Sequence, residues 1–225
     1  MIPLRDENPR TQFPVVNSLL IAANVLVFVN QFILSASPEP IMARYSTIPL
    51  QVMQLENLHT LVTSMFLHGG YMHIIGNMLY LYVFGDNVEN LMGSARYLLF
   101  YLLCGIGATM AHVLSSPGSD IPLVGASGAI SGVLAAYAVS FPRAKVLVAI
   151  PIFFYISTAR VPAIVLVGFW FILQVVSGLF AGNQAGGTAW FAHIGGFVIG
   201  LALLRFFRPA RERRILTFDD DPDDF

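Results

Sequence analysis

The sequence predicts an all-α membrane protein built as a bundle of six transmembrane helices, and three observations lead there. Of its 225 residues 56% are hydrophobic and only 11% charged, with a mean hydropathy of +0.70; a soluble domain carries about 25% charge. Charges nearly vanish over five intervals, 11–38, 57–85, 97–119, 121–142 and 161–204. When those intervals are threaded through a bilayer, the basic residues collect on one side.

The first residues, MIPLRDENPRTQFP, hold neither an apolar signal core nor a small-residue cleavage site, and are expected to form a short cytoplasmic tail, 1–14. A bilayer core takes roughly 20 apolar residues as a helix, so each of the first four intervals holds one span. Between spans one and two, the segment 37–57 contains SASPEP and Pro49. It is too apolar for a simple solvated loop and is expected to lie on the outer face of the membrane. The stretch VLVAIPIFFYISTA, 146–159, has 14 residues with Pro151 inside, which suits an interfacial or re-entrant piece better than a span. The fifth interval has 44 residues and is broken by NQAGG at 183–187. It therefore holds two spans, near 161–182 and 188–206. The transmembrane domain is expected over 15–207, and the tail 208–225, with its acidic, proline-broken TFDDDPDDF, is expected to be cytoplasmic and disordered.

Basic residues settle the count. With six spans and a cytoplasmic N-terminus, Arg5, Arg10, Arg96, Arg143, Lys145, Arg160, Arg205, Arg208, Arg211, Arg213 and Arg214 lie inside and only Arg44 lies outside. A seventh span at 146–159 would carry Arg160 and the later arginines outward, against the positive-inside rule.

Several functions are excluded. The balance of 12 basic and 13 acidic residues, with no basic cluster interleaved with aromatics, gives no support to nucleic-acid binding. The single cysteine, Cys104, lies in an apolar run and serves packing. Neither GxGxxG nor GxxxxGK[ST] occurs, so no cofactor is expected; without HExxH or any histidine pair at i, i+4, no metal is expected either.

Polar groups inside spans are expensive, and each one is a functional hypothesis. Four matter: His73, Asn77, Ser127 and His193. Spans two, four and six all run inward from the outer face, and these residues lie a few positions into them, roughly 5–10 Å deep at 1.5 Å per residue. Asn77 shares a helical face with His73, since i and i+4 align. The run VGASGAISG, 124–132, places Gly125, Ala126, Gly128, Ala129 and Gly132 around Ser127. Span six answers with Ala192, Gly196 and Gly200 at four-residue spacing beside His193. Such small-residue stripes allow two backbones to approach closely. A serine and an imidazole held in hydrogen-bond reach form the basic unit of nucleophilic catalysis. No Asp or Glu occurs in span four or six, so a Ser–His dyad is expected. Asn77, His73 and the Ser127 backbone N–H are the candidate donors to an oxyanion. Each feature alone has a plainer explanation: GxSG as helix packing, His193 bonding a carbonyl, and His73 with Asn77 as an interhelical polar pair. Their joint occurrence at one depth favours catalysis.

These residues resemble the rhomboid intramembrane serine proteases. The matching pieces are HGGYMHIIGN at 68–77, GASG at 125–128, and AHIGG at 192–196 with Gly200, in the family's order, and the similarity covers about 15–207. The resemblance implies Ser127 as nucleophile, His193 as general base and then acid, and His73 and Asn77 on the oxyanion side. It further implies six helices around a water-filled cavity that opens outward, with substrate entering laterally near span five. The substrates would be transmembrane segments of other proteins, and the location a bacterial inner membrane with both termini cytoplasmic. Two positions depart from the family: no tryptophan precedes Arg44 in 37–57, and the residue one turn after the nucleophile is Ser131 where some members have tyrosine. The alternative from another class is a non-enzymatic chaperone or scaffold that binds membrane helices in the same cavity.

Overall fold

The computed structural model describes residues 1–8, 12–152, 154–180 and 189–208. A short strand β1 (Ile2–Asp6) precedes helix α1 (Val15–Val29), which loosens into a π turn at Asn30–Leu34. Three short helices follow: α2 (Glu39–Tyr45), α3 (Pro49–Met53) and α4 (Thr60–Thr63). Then come the long helices α5 (Tyr71–Met92), α6 (Ser94–Ser115) and α7 (Ser127–Ser140). Strands β2 (Lys145–Ile152) and β3 (Tyr155–Pro162) lead into α8 (Ala163–Phe180), and α9 (Trp190–Phe207) ends the described chain.

Among the described residues, six helices of 14 residues or more coincide with the six predicted spans. Four of them, α1 with its π turn, α6, α8 and α9, are long and apolar enough to cross a membrane. Helix α5 has 22 residues but carries Asp86 and Glu89 near its C-terminal end. There Glu89 accepts the backbone N–H groups of Val16 and Asn17 at 3.0 and 2.7 Å and the Ser94 hydroxyl at 2.6 Å. A carboxylate at the first turn of α1 satisfies orphan donors and complements the helix dipole. The predicted turn at 183–187 and the acidic tail from 209 onward lie outside the described residues, as do Arg10, Arg211, Arg213 and Arg214.

The expectation of an all-α chain is corrected by an antiparallel sheet in the order β1-β2-β3. The segment 146–159, expected as an interfacial or re-entrant piece, is the β2–β3 hairpin, with Val146 opposite Val161 and Val148 opposite Ala159. The physical reason is its period of two: Val146 and Val148 are fully buried while β3 stays largely exposed. Pairing with β1 and β3 satisfies the backbone of this apolar, β-branched stretch, so no helix is required. The N-terminal tail is likewise ordered where β1 pairs with β2.

The segment between α1 and α5 is anchored without a tryptophan. Thr47 and Leu123 exchange backbone hydrogen bonds at 3.1 and 2.8 Å. The buried Thr47 hydroxyl reaches the Thr60 carbonyl at 2.8 Å and lies 3.0 Å from the Ser64 hydroxyl. Leu50 N–H adds a bond to the Ser119 carbonyl at 3.0 Å. The segment between α1 and α5 is thereby stitched to the strand-like residues that lead into α7.

Helix α7 is the centre of the molecule, with every residue from Gly128 to Ala138 buried. A helix apolar on all sides belongs inside a bundle. It packs against α5, α6, α8 and α9, and its contact with α9 is backbone to backbone. A Cβ on Gly200 would stand 2.5 Å from Gly132 Cα, and one on Gly196 would overlap the Gly128 carbonyl oxygen. Gly76 on α5, by contrast, has open space where a Cβ would be. Gly200→Ala should therefore lower the melting temperature in detergent, with overpacking costing about 1–3 kcal/mol. Gly76→Ala should match or exceed wild type, because glycine inside a helix costs about 1 kcal/mol relative to alanine. Equal melting temperatures for the two variants would contradict the backbone contact.

Candidate active site

Ser127 is the first residue of α7 rather than a residue some turns inside it. The chain arrives through Gly125, whose φ of +123° is a conformation that side chains rarely adopt. Gly125 N–H bonds the Ser64 carbonyl at 2.9 Å. A Cβ on Gly125 would lie 2.7 Å from both Cε1 and Nε2 of His73 and 3.6 Å from Asn77 Nδ2. The glycine thus supplies both the turn and the room for two α5 side chains beside the start of α7. Helix α7 has no side-chain cap, so its first-turn N–H groups lack intrahelical partners, and the positive end of the helix dipole faces the same place.

Across the glycine contact, His193 Nε2 lies 2.8 Å from Ser127 Oγ. Four residues after the nucleophile candidate, the buried Ser131 hydroxyl turns back to the Ser127 carbonyl at 2.6 Å and leaves the imidazole to other neighbours. Those are the two tryptophans of the sequence: Trp170 of α8, with ring centroids 5.9 Å from His193 and tilted, and Trp190 of α9, edge-on at 6.4 Å. The imidazole is thus flanked by one aromatic ring from α8 and one from α9.

The α5 pair is held from the loop before it. Gly69 N–H donates to His73 Nδ1 at 3.3 Å, which leaves the ring proton on Nε2, the nitrogen beside Gly125. Asn77 Nδ2 donates to His68 Nε2 at 2.9 Å, fixing the amide while its second N–H stays available. The fully buried His68 is held in turn by Gln31, whose side chain bonds the His68 carbonyl at 3.0 Å and accepts its N–H at 3.3 Å. Gln31 sits in the π turn that ends α1, and such irregular turns are frequent at functional sites.

The structure therefore brings Ser127 to His193, and brings His73 and Asn77 to the glycine turn that precedes Ser127. Gly128 and Gly196 meet across the α7–α9 contact, as do Gly132 and Gly200. Sequence reasoning missed three contributors: His68, Gln31 and Gln174. Gln174 Oε1 lies 2.7 Å from His193 Nδ1. The available signal was its position, for it is the one amide side chain in α8, where the hydroxyl of Ser177 is the other polar aliphatic group. Among the described residues, no cluster of three or more His, Cys, Asp or Glu side chains is suited to hold a metal ion.

Comparison with known proteins identifies the family of the chain. The family model for the rhomboid domain matches residues 55–210, well over half of the chain. Rhomboid protease GluP of Bacillus subtilis (strain 168) is 45% identical over 76 residues, covering 34% of this chain and 14% of that protein. Presenilin-associated rhomboid-like protein A, mitochondrial, of Danio rerio is 30% identical over 144 residues, 63% of this chain and 35% of that protein. The Homo sapiens presenilin-associated rhomboid-like protein is 29% identical over 185 residues, 81% of this chain and 45% of that protein. The matches thus span less than half the length of each of these relatives. The chain belongs to the rhomboid family.

Proposed function

We propose that this integral membrane protein is an intramembrane serine endopeptidase that hydrolyses peptide bonds in or beside transmembrane segments of other proteins. The observation that carries the proposal is the 2.8 Å contact between Ser127 Oγ on α7 and His193 Nε2 on α9. In this reading Ser127 Oγ attacks the scissile carbonyl carbon while its proton passes to His193 Nε2. The carbonyl π bond opens and its oxygen takes the negative charge. His193 then returns the proton to the leaving amine as the C–N bond breaks, leaving an ester on Ser127 that water hydrolyses by the same two proton transfers. The oxyanion is received by the first-turn N–H groups of α7, Asn77 Nδ2 and His73 Nε2, all beside Gly125. A helical substrate has its carbonyls hydrogen-bonded, so it must unwind locally before attack; small or helix-destabilising residues near the cut are expected.

We further assign all six long helices as spans, with both ends of the chain in the cytoplasm. The shortness of α7 suits an interior helix that begins below the outer surface. Helix α5 keeps its two carboxylates at the end that the basic residues mark as inner. A topology reporter fused after Phe225 should be active on the cytoplasmic side alone; activity on the outer face would show that the span count is wrong.

Ser127→Ala should abolish cleavage by the purified protein and labelling by a fluorophosphonate, while the melting temperature stays near that of wild type. His193→Ala should suppress both, since an unassisted hydroxyl is a poor nucleophile. Substantial proteolysis by purified Ser127→Ala would end the proposal.

Asn77→Ala separates an oxyanion role from packing. If the amide stabilises the oxyanion, kcat on a transmembrane substrate should fall by about 10²–10³ in a folded protein, with the other donors sustaining the remainder. Unchanged kcat in the folded variant would remove Asn77 from the oxyanion site.

A further inference from the structure

We infer that Gln174 of α8 is a positioning residue for the reaction, the third member of a relay in which it holds the proton of His193 on Nδ1 and leaves Nε2 free to accept from Ser127. The inference rests on the serine endopeptidase reading above and concerns a residue that no carboxylate-based triad would contain.

The direction of every hydrogen bond in this relay follows from its outermost member. The Gln174 side-chain Nε2 lies 3.3 Å from the Trp170 carbonyl oxygen one turn earlier on α8. A carbonyl only accepts, so the amide must direct its NH2 there; the flipped amide would set two oxygens against each other. Oε1 therefore faces His193 Nδ1, 2.7 Å away, and an amide oxygen also only accepts. The ring proton is thereby assigned to Nδ1. His193 Nε2 is then a bare lone pair directed at Ser127 Oγ at 2.8 Å, and the hydroxyl must donate. The polarity needed for a general base is set by a backbone carbonyl two hydrogen bonds away from the imidazole.

Packing holds the relay in place. Trp170, Gln174 and Gly178 recur at i, i+4 and share one face of α8. On that face Gly178 admits Trp190 of α9, whose Cβ would lie 3.2 Å from a Cβ at 178, and Trp170 and Trp190 flank the imidazole. Gln174 itself is buried. In the low dielectric of a helix bundle, an amide buried without partners is costly; this one is satisfied at both ends, and only by pointing at His193. When Ser127 attacks, its proton moves to Nε2 and the imidazolium keeps the Nδ1 proton in its bond to Oε1. The neutral oxygen stabilises that cation through its dipole rather than a charge, and it avoids burying a carboxylate in the bundle.

The test uses the full chain in detergent, labelled with 15N in its histidine rings, the His193 signals being assigned by their loss in His193→Ala. Wild type should show a protonated Nδ1 and a bare Nε2, and Gln174→Leu should shift the proton toward Nε2. Labelling by a fluorophosphonate is measured in parallel. In Gln174→Leu its maximal rate should fall by about 10–100-fold with the half-saturating concentration within about twofold of wild type, whereas Gln174→Glu, which as the neutral acid keeps an acceptor oxygen toward His193 and an O–H donor toward the Trp170 carbonyl, should return to within about threefold of wild type. A wild-type ring protonated on Nε2 would overturn the inference. So would unchanged labelling and an unchanged tautomer in folded Gln174→Leu, or equal losses in the Leu and Glu variants, which would mean that only side-chain packing matters. If Gln174→Leu does not fold, the wild-type tautomer and the Gln174→Glu rate decide. A wild type that the probe does not label, yet whose Nδ1 carries the proton, would defeat the endopeptidase reading while upholding the hydrogen bond.

Discussion

The close approach of α7 and α9 is the constraint on which the rest of the molecule depends. Gly196 and Gly200 of α9 seat against the α7 backbone at Gly128 and Gly132 so tightly that neither could carry a Cβ, while a Cβ at Gly128 or Gly132 would strike Ala108 or Cys104 of α6. A serine side chain is short, and an imidazole reaches only a few ångströms further. Two helices at the ordinary interaxial distance of about 8–10 Å would leave such a pair on opposite sides of a layer of side chains. Glycine removes that layer. The 2.8 Å separation of Ser127 Oγ and His193 Nε2 is what remains when the intervening atoms are gone.

A second consequence is that α7 ends up in the interior. Its neighbours bury it from Gly128 to Ala138, and its 14 residues span only about 21 Å at 1.5 Å per residue. The chain must therefore reach the helix start through non-helical residues, and these need partners of their own. Thr47 and Leu123 provide one set by strand-like pairing, and Gly125 with the Ser64 carbonyl another. Irregular backbone inside a membrane protein is tolerated where protein encloses it. The segment between α1 and α5, short helices included, serves that end: it satisfies the backbone that delivers Ser127. At the opposite end of α5, Glu89 and the three-stranded sheet do comparable work for α1 and the N-terminal strand.

The polar side chains around Ser127 are ordered by hydrogen bonds, and at His73 and His193 the direction of those bonds is forced. Gln31 holds His68, His68 holds Asn77, Gly69 N–H sets the face of His73, and Trp170 through Gln174 sets the face of His193. The chains to His73 and His193 start from a backbone group, the Gly69 N–H and the Trp170 carbonyl, whose donor or acceptor character cannot change. In an apolar bundle that matters twice. Unsatisfied polar atoms are costly there, and the surviving arrangement leaves one donor or one lone pair free at each inner end.

Much of this was legible in residue order. Charge gaps marked the six long helices because charges are excluded from an apolar medium, and small residues at four-residue spacing marked the α7–α9 stripe because a helix repeats its face at that interval. The strand pairing at 146–159 was not legible: an apolar stretch with a central proline looks the same whether its backbone is irregular or pairs with a distant strand, and β1 is more than a hundred residues away. Gln174 was overlooked for a related reason. Its polarity was plain in the sequence, but its partners are Trp170 on its own helix and His193 on another, and no periodicity encodes which face of α8 turns toward α9. Composition and local spacing determined which segments form helices and which residues are too polar to face lipid. Only tertiary packing decided which of those residues meet, because hydrogen bonds a few ångströms long depend on the relative rotation of whole helices, and that rotation is a property of the assembled bundle.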